Sequence, residues 1–428
     1  MPNNRIFYAC QAVALEPLYT NQQGNLTPSR PSIKTGMVQG AADLHVLHGV
    51  QSVGLNTTFN LEQVFELGQI HIYENIEGVP DVEVTLEKVL DGHALMYHVA
   101  SAGIEKEEGI GTSSKASLVA RSKQRTNVYL GIFPETVENV GDTTAGAIEV
   151  QMSGMYISSI GYTLPTDGNC TESLTLVGNH KSWSKTNSKF SNAVAKQLDS
   201  ARKNGDTRTN LYDVPANMQP GSYYGGVQRR ENVDIKHSIL PASLYGVTKT
   251  AVNSAPQVGN GWRGGANATG GEPLVHIQNC SISCDLNRES VQELGRKAPY
   301  YRFANFPVEV TCEFEVISTS GDGINAYEEG FTNGSEGGFP VNSEFYGNNT
   351  AEETIMIKLH DGTVFDLGPK NRLSSVNYTG GDAGGGSATM TYSYSTFNAL
   401  TVTHPKDPAG IANSNAAYGP VYNGGKQR

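Results

Sequence analysis

The sequence predicts a mainly β protein: two tandem β-sandwich domains, each with a short side helix. Three observations carry this. Charged residues are only 17% of the 428, while glycine and proline number 48 and 19, a balance that suits strands joined by long turns. Stretches of strict apolar–polar alternation recur along the chain, as in VEVTLEKV and VEVTCEFEV. One phrase also occurs twice, NLEQVFELG at 60–68 and NRESVQELG at 287–295, with six of nine positions identical.

The first unit is placed at residues 5–183. It opens with RIFYACQAVAL, a strand followed by a Gly, Pro and Ser-rich loop, and continues with HVLHGVQSVGLNTTF, a second β segment rich in Val and Thr. The repeated phrase is predicted to be a short helix. Asn60 would cap it, Glu62 would sit at the positive end of its dipole, and Gly68 would close it. PDVEVTLEKVL at 80–90 alternates as a strand, and TNVYLGIF at 126–133 is another. SSIGYT and ESLTLVG, separated by a Gly-containing turn, read as a hairpin.

Residues 184–235 form a linker with one predicted helix, SNAVAKQLDSARKN, capped by Ser191. The second unit, 236–405, repeats the series. KHSILPASLYGV answers the opening strand and LVHIQNCSISCDL the second. Asn287, Glu289 and Gly295 take the three helix positions, and PVEVTCEFEV aligns with PDVEVTLEKV once one residue is dropped. TIMIKL, SSVNYT and ATMTYSY complete it. Residues 406–428 are rich in Gly, Asn, Ala and Pro and are expected to be a loose C-terminal arm.

Several function classes are disfavoured. The formal charge is −11 and no Lys/Arg run is long enough to follow a phosphate backbone, so stable nucleic-acid binding is not expected. Two copies of a unit are too few for a solenoid. The five cysteines, Cys10, Cys170, Cys280, Cys284 and Cys312, lack paired zinc spacing and read as small apolar fillers made in a reducing cytoplasm. The N-terminus does not read as a secretory segment, and no stretch of about 18 apolar residues suggests a membrane span. No HExxH, GxSxG or Walker phrase occurs, and GNGWRGGANATGG at 259–271 lacks the setting of a phosphate loop. Asp322, Glu328 and Glu329 are not at EF-hand spacing. The expectation is a non-enzymatic protein with no cofactor, no bound metal and no membrane association.

The stretch LNRESVQELGRKAPYYRFANFPVEVTCEFEVIS at 286–318 resembles the tail tube proteins of tailed bacteriophages, with strand, short helix RESVQELGR, aromatic stretch PYYRFANFP and acid-bearing strand in the same order. The resemblance spans 275–402 well and 44–183 less well, where IHIYENIEGVP replaces the aromatic stretch and Leu61 and Gln69 stand where the second unit has Arg288 and Arg296. It implies a subunit whose inner strands join those of its neighbours into a barrel around the channel that DNA passes through. Because the domain is doubled, it implies a ring of three chains, stacked into a tube. The implied partners are further copies of the chain, other tail proteins such as sheath, terminator or baseplate, and double-stranded DNA in transient passage. The implied location is the virion tail, assembled in the host cytoplasm. The competing reading is a carbohydrate-binding head decoration or baseplate protein, with PYYRFANFP as an aromatic platform; a β-rich hydrolase comes third.

The candidate functional residues follow from alternation. In VEVTCEFEV one face carries Val308, Val310, Cys312, Phe314 and Val316, and the other Glu309, Thr311, Glu313 and Glu315. In the first unit Glu83, Thr85 and Glu87 repeat the polar face, and Lys88 looks out of step. The tube resemblance makes Glu83, Glu87, Glu309, Glu313 and Glu315 lumen-facing. Two insertions are candidates for holding the next ring. Residues 93–125 carry five cations (Lys106, Lys115, Arg121, Lys123 and Arg125) against three acids, and residues 318–353 carry seven acids and no Lys or Arg.

Overall fold

A computed structural model describes residues 6, 11–20, 26–27, 45–91, 95–101, 113–118, 122–133, 148–184, 227–235, 238–241, 276–317, 352–380 and 387–405. The first unit supplies β1 (Gln11–Thr20), β2 (Leu26–Thr27), β3 (His45–Val46), β4 (Val50–Thr58), β5 (Leu61–Phe65), β6 (Ile72–Glu77) and β7 (Asp81–Val89). Then come helix α1 (Met96–Ala100), β8 (Ser113–Ser117), β9 (Arg125–Ile132), β10 (Ile148–Pro165), β11 (Thr171–Gly178) and β12 (Lys181–Ser184). The second unit supplies β13 (His276–Asp285), β14 (Arg288–Val291), β15 (Tyr301–Ala304), β16 (Glu309–Ile317), β17 (Met356–Lys358), β18 (Val364–Asp366), β19 (Arg372–Thr379), β20 (Thr389–Phe397) and β21 (Thr401–Pro405).

One long sheet organises the molecule. Its strands run in the order β19-β20-β16-β13-β10-β11-β7-β4, every neighbouring pair antiparallel. Read in one direction along the sheet, the halves match: β19, β20, β16 and β13 in the second unit answer β10, β11, β7 and β4 in the first. The sequence repeat is therefore a repeat of topology. The two four-stranded halves are fused where β10 pairs with β13, from Ser159 opposite Asp285 to Pro165 opposite Asn279.

Alternation places the core on one side of this sheet. Val82, Val84 and Leu86 of β7 and Val310, Cys312, Phe314 and Val316 of β16 are buried, while the residues between them are exposed or partly so. A second layer covers the apolar side. It contains β3, β1, β9, the first half of β10, and β12, together with the four-stranded sheet β17-β18-β21-β8. β10 serves both layers by bending: its pairing with β9 slips between Met152 and Met155, where Gly154 takes a φ of 67°. The halves are not separate lobes, because one apolar cluster runs through both; Tyr162 of the first unit lies 4.5 Å, centroid to centroid, from Phe365 of the second. β8 of the first unit also pairs with β21 of the second.

The repeated phrase is not a helix. In both copies it forms one arm of a β-hairpin, β5 paired with β6 and β14 with β15. Nine residues are too few to sustain a helix without tertiary support, whereas a partner strand satisfies the backbone at once. The features taken for caps serve the hairpin. Asn60 accepts from Gly78 N through its carbonyl oxygen, and its side-chain amide donates to Val79 O and Asp81, tying the hairpin base. Gly68 and Gly295, at φ of 91° and 84°, are third in four-residue turns closed by Gln69 N to Glu66 O and by Arg296 N to Glu293 O. The one described side helix is α1, which follows β7. The expected linker helix at 191–204, the arm at 406–428 and most of the 318–353 insertion lie outside the described residues.

Candidate functional site

All five candidate glutamates lie on the face of the long sheet opposite the core. Glu83 is half-buried, Glu87, Glu309 and Glu313 are exposed, and Glu315 is half-buried. Register brings small polar residues beside them. One row across the sheet reads Ser52, Glu87, Ser173, Gly161, Ser283, Thr311, Ser395; another reads Thr163, Ser281, Glu313, Ser393, Ser375. Ser52 Oγ donates to Glu87 at 3.3 Å and Ser393 Oγ to Glu313 at 3.1 Å. The glycines keep the surface low: a Cβ on Gly161 would meet Ser173 Oγ at 2.5 Å, and one on Gly54 would meet Thr85 Oγ1 at 2.3 Å. These rows form a broad surface of carboxylates and hydroxyls, with a cation at its margin, the exposed Arg372 that stands opposite Ser395 on the edge strand β19.

Lys88 is not on that face. It continues the buried positions Val82, Val84 and Leu86 and is fully buried, its Nζ donating to Asp91 and to Val89 O at 3.0 Å. The sequence alone made it look like a break in pattern, because a lysine among core positions is rare unless paired. Its neighbourhood is ionic. Glu172 of β11 is fully buried and accepts from Met96 N at 2.6 Å, Tyr97 N at 3.0 Å and Tyr162 Oη at 3.1 Å. Burial raises its pKa, against the two amides, Lys88 and Tyr162. Asp361 of the second unit is also buried. Burial raises its pKa to about 6 and the Asp91 charge adds to this, while Thr363 and Lys88 pull it down.

The sheet has two unfilled edges among the described residues, on β4 and on β19. Their apolar side chains resemble those of the filled junction but are less covered. Ile157 and Ile160 of β10 and Ile282 and Cys284 of β13 are buried, whereas Leu373 and Val376 of β19 and Val53 and Leu55 of β4 are only partly so.

The two hairpins also differ. β14–β15 leans on the first unit: Arg288 Nε donates to Ile157 O at 2.7 Å, and Tyr301 Oη donates to Lys123 O at 3.1 Å. Arg302 pairs with Asp81 and donates through Nη2 to Asn179 Oδ1 at 3.1 Å. Tyr156 and Tyr301 meet edge to face at 5.3 Å, with Arg125 over both rings. Burial in this seat lowers the Arg288 pKa to about 10. For Asp81, burial is outweighed by Asn60, Arg302 and Asn179, which hold its carboxyl below the usual carboxylate range. Within the aromatic stretch PYYRFANFP, Tyr301 and Arg302 supply contacts between the units, while Tyr300, Phe303 and Phe306 are exposed. Among the described residues β5–β6 has no such seat beyond its base, where Leu61 and Glu77 share a cleft with Lys297 and Ala298, and all six residues of β6 are exposed. Leu67 and Leu294, at corresponding turn positions, are fully exposed in both hairpins.

Sequence reasoning missed the open edges and the seat, since both depend on which strands become neighbours. The opposite charge of the two insertions did not reveal the use of the first: β8, inside it, is consumed within the chain by β21. The four described cysteines, Cys170, Cys280, Cys284 and Cys312, are buried, and burial raises the thiols of Cys170 and Cys284 to about 12. Among the described residues no group of His, Cys, Asp and Glu is placed to hold a metal ion, and no helix is long and apolar enough to cross a membrane.

No protein-family model matches the chain, and no curated protein matches it. Among solved structures it is similar to a chain of the anti-feeding prophage baseplate, with 11% identity, a TM-score of 0.28, and 44% of this chain against 99% of that one. It is also similar to a chain of the anti-feeding prophage tube-terminating cap, with 10% identity, a TM-score of 0.26, and 44% of this chain against 95% of that one.

Proposed function

We propose that the chain is a structural, non-enzymatic subunit of a bacteriophage tail tube, and that three copies close into a ring through β19 of one copy and β4 of the next. The observation that carries this is the internal junction. β10 and β13 hold the two halves together, β19 and β4 are their counterparts in the repeat, and among the described residues these two end the long sheet with a neighbour on one side only. Aligning SSIGYT with SSVNYT sets Val376 opposite Leu55 and Thr379 opposite Ser52 of the neighbouring copy. Edge strands with half-exposed apolar side chains are a liability unless paired, and closure pairs them.

The number of copies follows from size. With strands about 4.8 Å apart and tilted about 40°, two copies would give roughly 16 strands and a bore near 22 Å once side chains are allowed for. Three would give roughly 24 strands and a bore of about 38 Å. A duplex roughly 20 Å wide needs clearance for its hydration, so three copies is the smallest ring that passes it. The acidic face then lines the channel. Like charge keeps phosphates from adhering, whereas a basic wall would bind DNA with steep salt dependence. Stacked rings in the virion tail would meet sheath, terminator or baseplate proteins at their ends.

Electron microscopy with mass measurement of isolated rings tests the reading. Rings of three chains with a bore of about 40 Å are expected; discrete monomers at high protein concentration would sink it, and six chains per ring would overturn the three-chain count.

A further inference from the structure

We infer that the bare hairpin β5–β6 is an intersubunit arm, seated on the β19 end of the second unit of the neighbouring copy as β14–β15 is seated on the β10 end within one chain. The inference rests on the ring proposed above and adds a second interface to it.

The argument is one of missing neighbours. Each hairpin follows the first strand of its four-stranded half, β4 or β13. The β14–β15 hairpin reaches back over β10, the strand that pairs with β13, and there Arg288 and Tyr301 meet Ile157 and Tyr156. The β5–β6 hairpin leaves β4 in the same place, but the strand it should reach over belongs to another copy. Its six exposed β6 residues, with Leu61 and Phe65 exposed on β5, are the surface left over.

The repeat names the contacts. NLEQVFELG against NRESVQELG sets Leu61 where Arg288 stands, and alignment of the prolines at 80 and 307 sets Glu74 where Tyr301 stands. On the receiving side, SSIGYT against SSVNYT extends to Arg372 in place of Tyr156 and Leu373 in place of Ile157. The substituted pairs are complementary. Leu61 meets Leu373, so an apolar contact replaces a guanidinium on a carbonyl. Glu74 meets Arg372, so an ion pair replaces a ring contact. The wider charge agrees: residues 60–78 carry Glu62, Glu66, Glu74 and Glu77 and no Lys or Arg, and the start of β19 offers exposed Lys370 and Arg372. Among the described residues Arg372 makes an exposed contact with Glu352, at 3.7 Å, which a closer partner can replace.

Two double-cysteine variants of the full chain test this under mild oxidation, read by mass and non-reducing electrophoresis. Glu74→Cys with Arg372→Cys reports the hairpin seat; Ser52→Cys with Thr379→Cys reports ring closure. Chain-to-chain disulfides in both are expected. Cross-linking in the second alone overturns the hairpin seat and leaves the ring standing, and cross-linking in neither overturns both. A charge exchange separates contact from mere proximity. Glu74→Lys should weaken association about fivefold, and adding Arg372→Glu should restore it. Weakening that the second change does not reverse overturns the pairing of these two residues.

Discussion

The middle of the long sheet and its two ends are made of corresponding strands, yet one is closed and the others are open. At the middle, β10 and β13 share backbone hydrogen bonds and bury Ile160, Ile282 and Cys284; at the ends, β19 and β4 carry Val376, Val53 and Leu55 in partly open positions. Composition does not explain the difference, since both sets are apolar on the core side. Connectivity does, because β10 and β13 belong to one chain, in which residues 185–275 run from β12 to β13 and keep the two halves together. The junction of β10 with β13 is a formed example of the contact that β19 and β4, as the ends of the sheet among the described residues, do not make.

The largest contrast should come from proline, which removes a backbone donor and clashes within a ladder. Ile282→Pro, at the closed junction, should cost roughly 3 kcal/mol or more and lower the melting temperature by about 3 °C or more for a chain of this size. Val376→Pro, at an open edge, should leave the monomer within about 1 °C of the parent and abolish ring formation. Calorimetry with analytical ultracentrifugation reads both, and equal melting losses at the two sites would remove the distinction between middle and end.

The shared core under the junction gives the next effect. Phe365 of β18 lies against Tyr162 of β10, so Phe365→Ala should cost about 3–5 kcal/mol in chemical denaturation. If the halves are coupled through this contact, unfolding should remain a single transition in the parent. Two separate transitions would show that the halves fold independently despite their common cluster.

The alternating strands and the doubled architecture were legible because each rests on a local pattern. VEVTLEKV and VEVTCEFEV placed Glu83, Glu87, Glu309, Glu313 and Glu315 on one face, and these two matched phrases became β7 and β16, which hold corresponding places in the long sheet. The hairpins were misread because Asn60, Glu62 and Gly68 suit a helix cap as well as a hairpin base and turn; a strand partner ten residues away decided the outcome. Lys88 was misplaced for a similar reason, since Asp91 and the buried Asp361 that make its burial tolerable come from a later turn and from the other half. The open edges had no local signal at all, because an edge is defined by the strand that is missing.

Asp361 gives a smaller, pH-dependent effect at the closed side of the comparison. Its pKa is about 6 when folded against an ordinary 3.8, so the folded chain holds a proton that the unfolded chain releases. Stability is lost as pH rises from about 4 to about 6, and the loss persists above that. Asp361→Asn keeps the oxygen that accepts from Thr363 N at 2.8 Å and removes the ionisation. The variant should come close to the parent near pH 4 and exceed it by about 3 kcal/mol above pH 6. Urea titrations at the two pH values measure this, and an equal difference at both would exclude ionisation as the cause.

The smallest effect on the fold is expected at the acidic face. Glu83, Glu87, Glu309 and Glu313 stand on the uncovered side of the sheet and support no core contact, and the hydroxyls of Ser52 and Ser393 that touch Glu87 and Glu313 can turn to water. Replacing all four by glutamine should change monomer stability by no more than about 0.5 kcal/mol per site, and ring formation should survive because neither open edge is touched. Lysine at the same positions should also assemble, but each three-chain ring would then present twelve cations where it had presented twelve carboxylates. If this face lines the channel, lysine tubes should retain short duplex DNA at low salt and release it as salt rises, while parent and glutamine tubes should not retain it. Adsorption to the outside of the tube is separated by nuclease, which reaches the outer surface and not the bore. DNA that is retained but fully digested would place the acidic face outward and leave the channel wall to the other layer of the molecule.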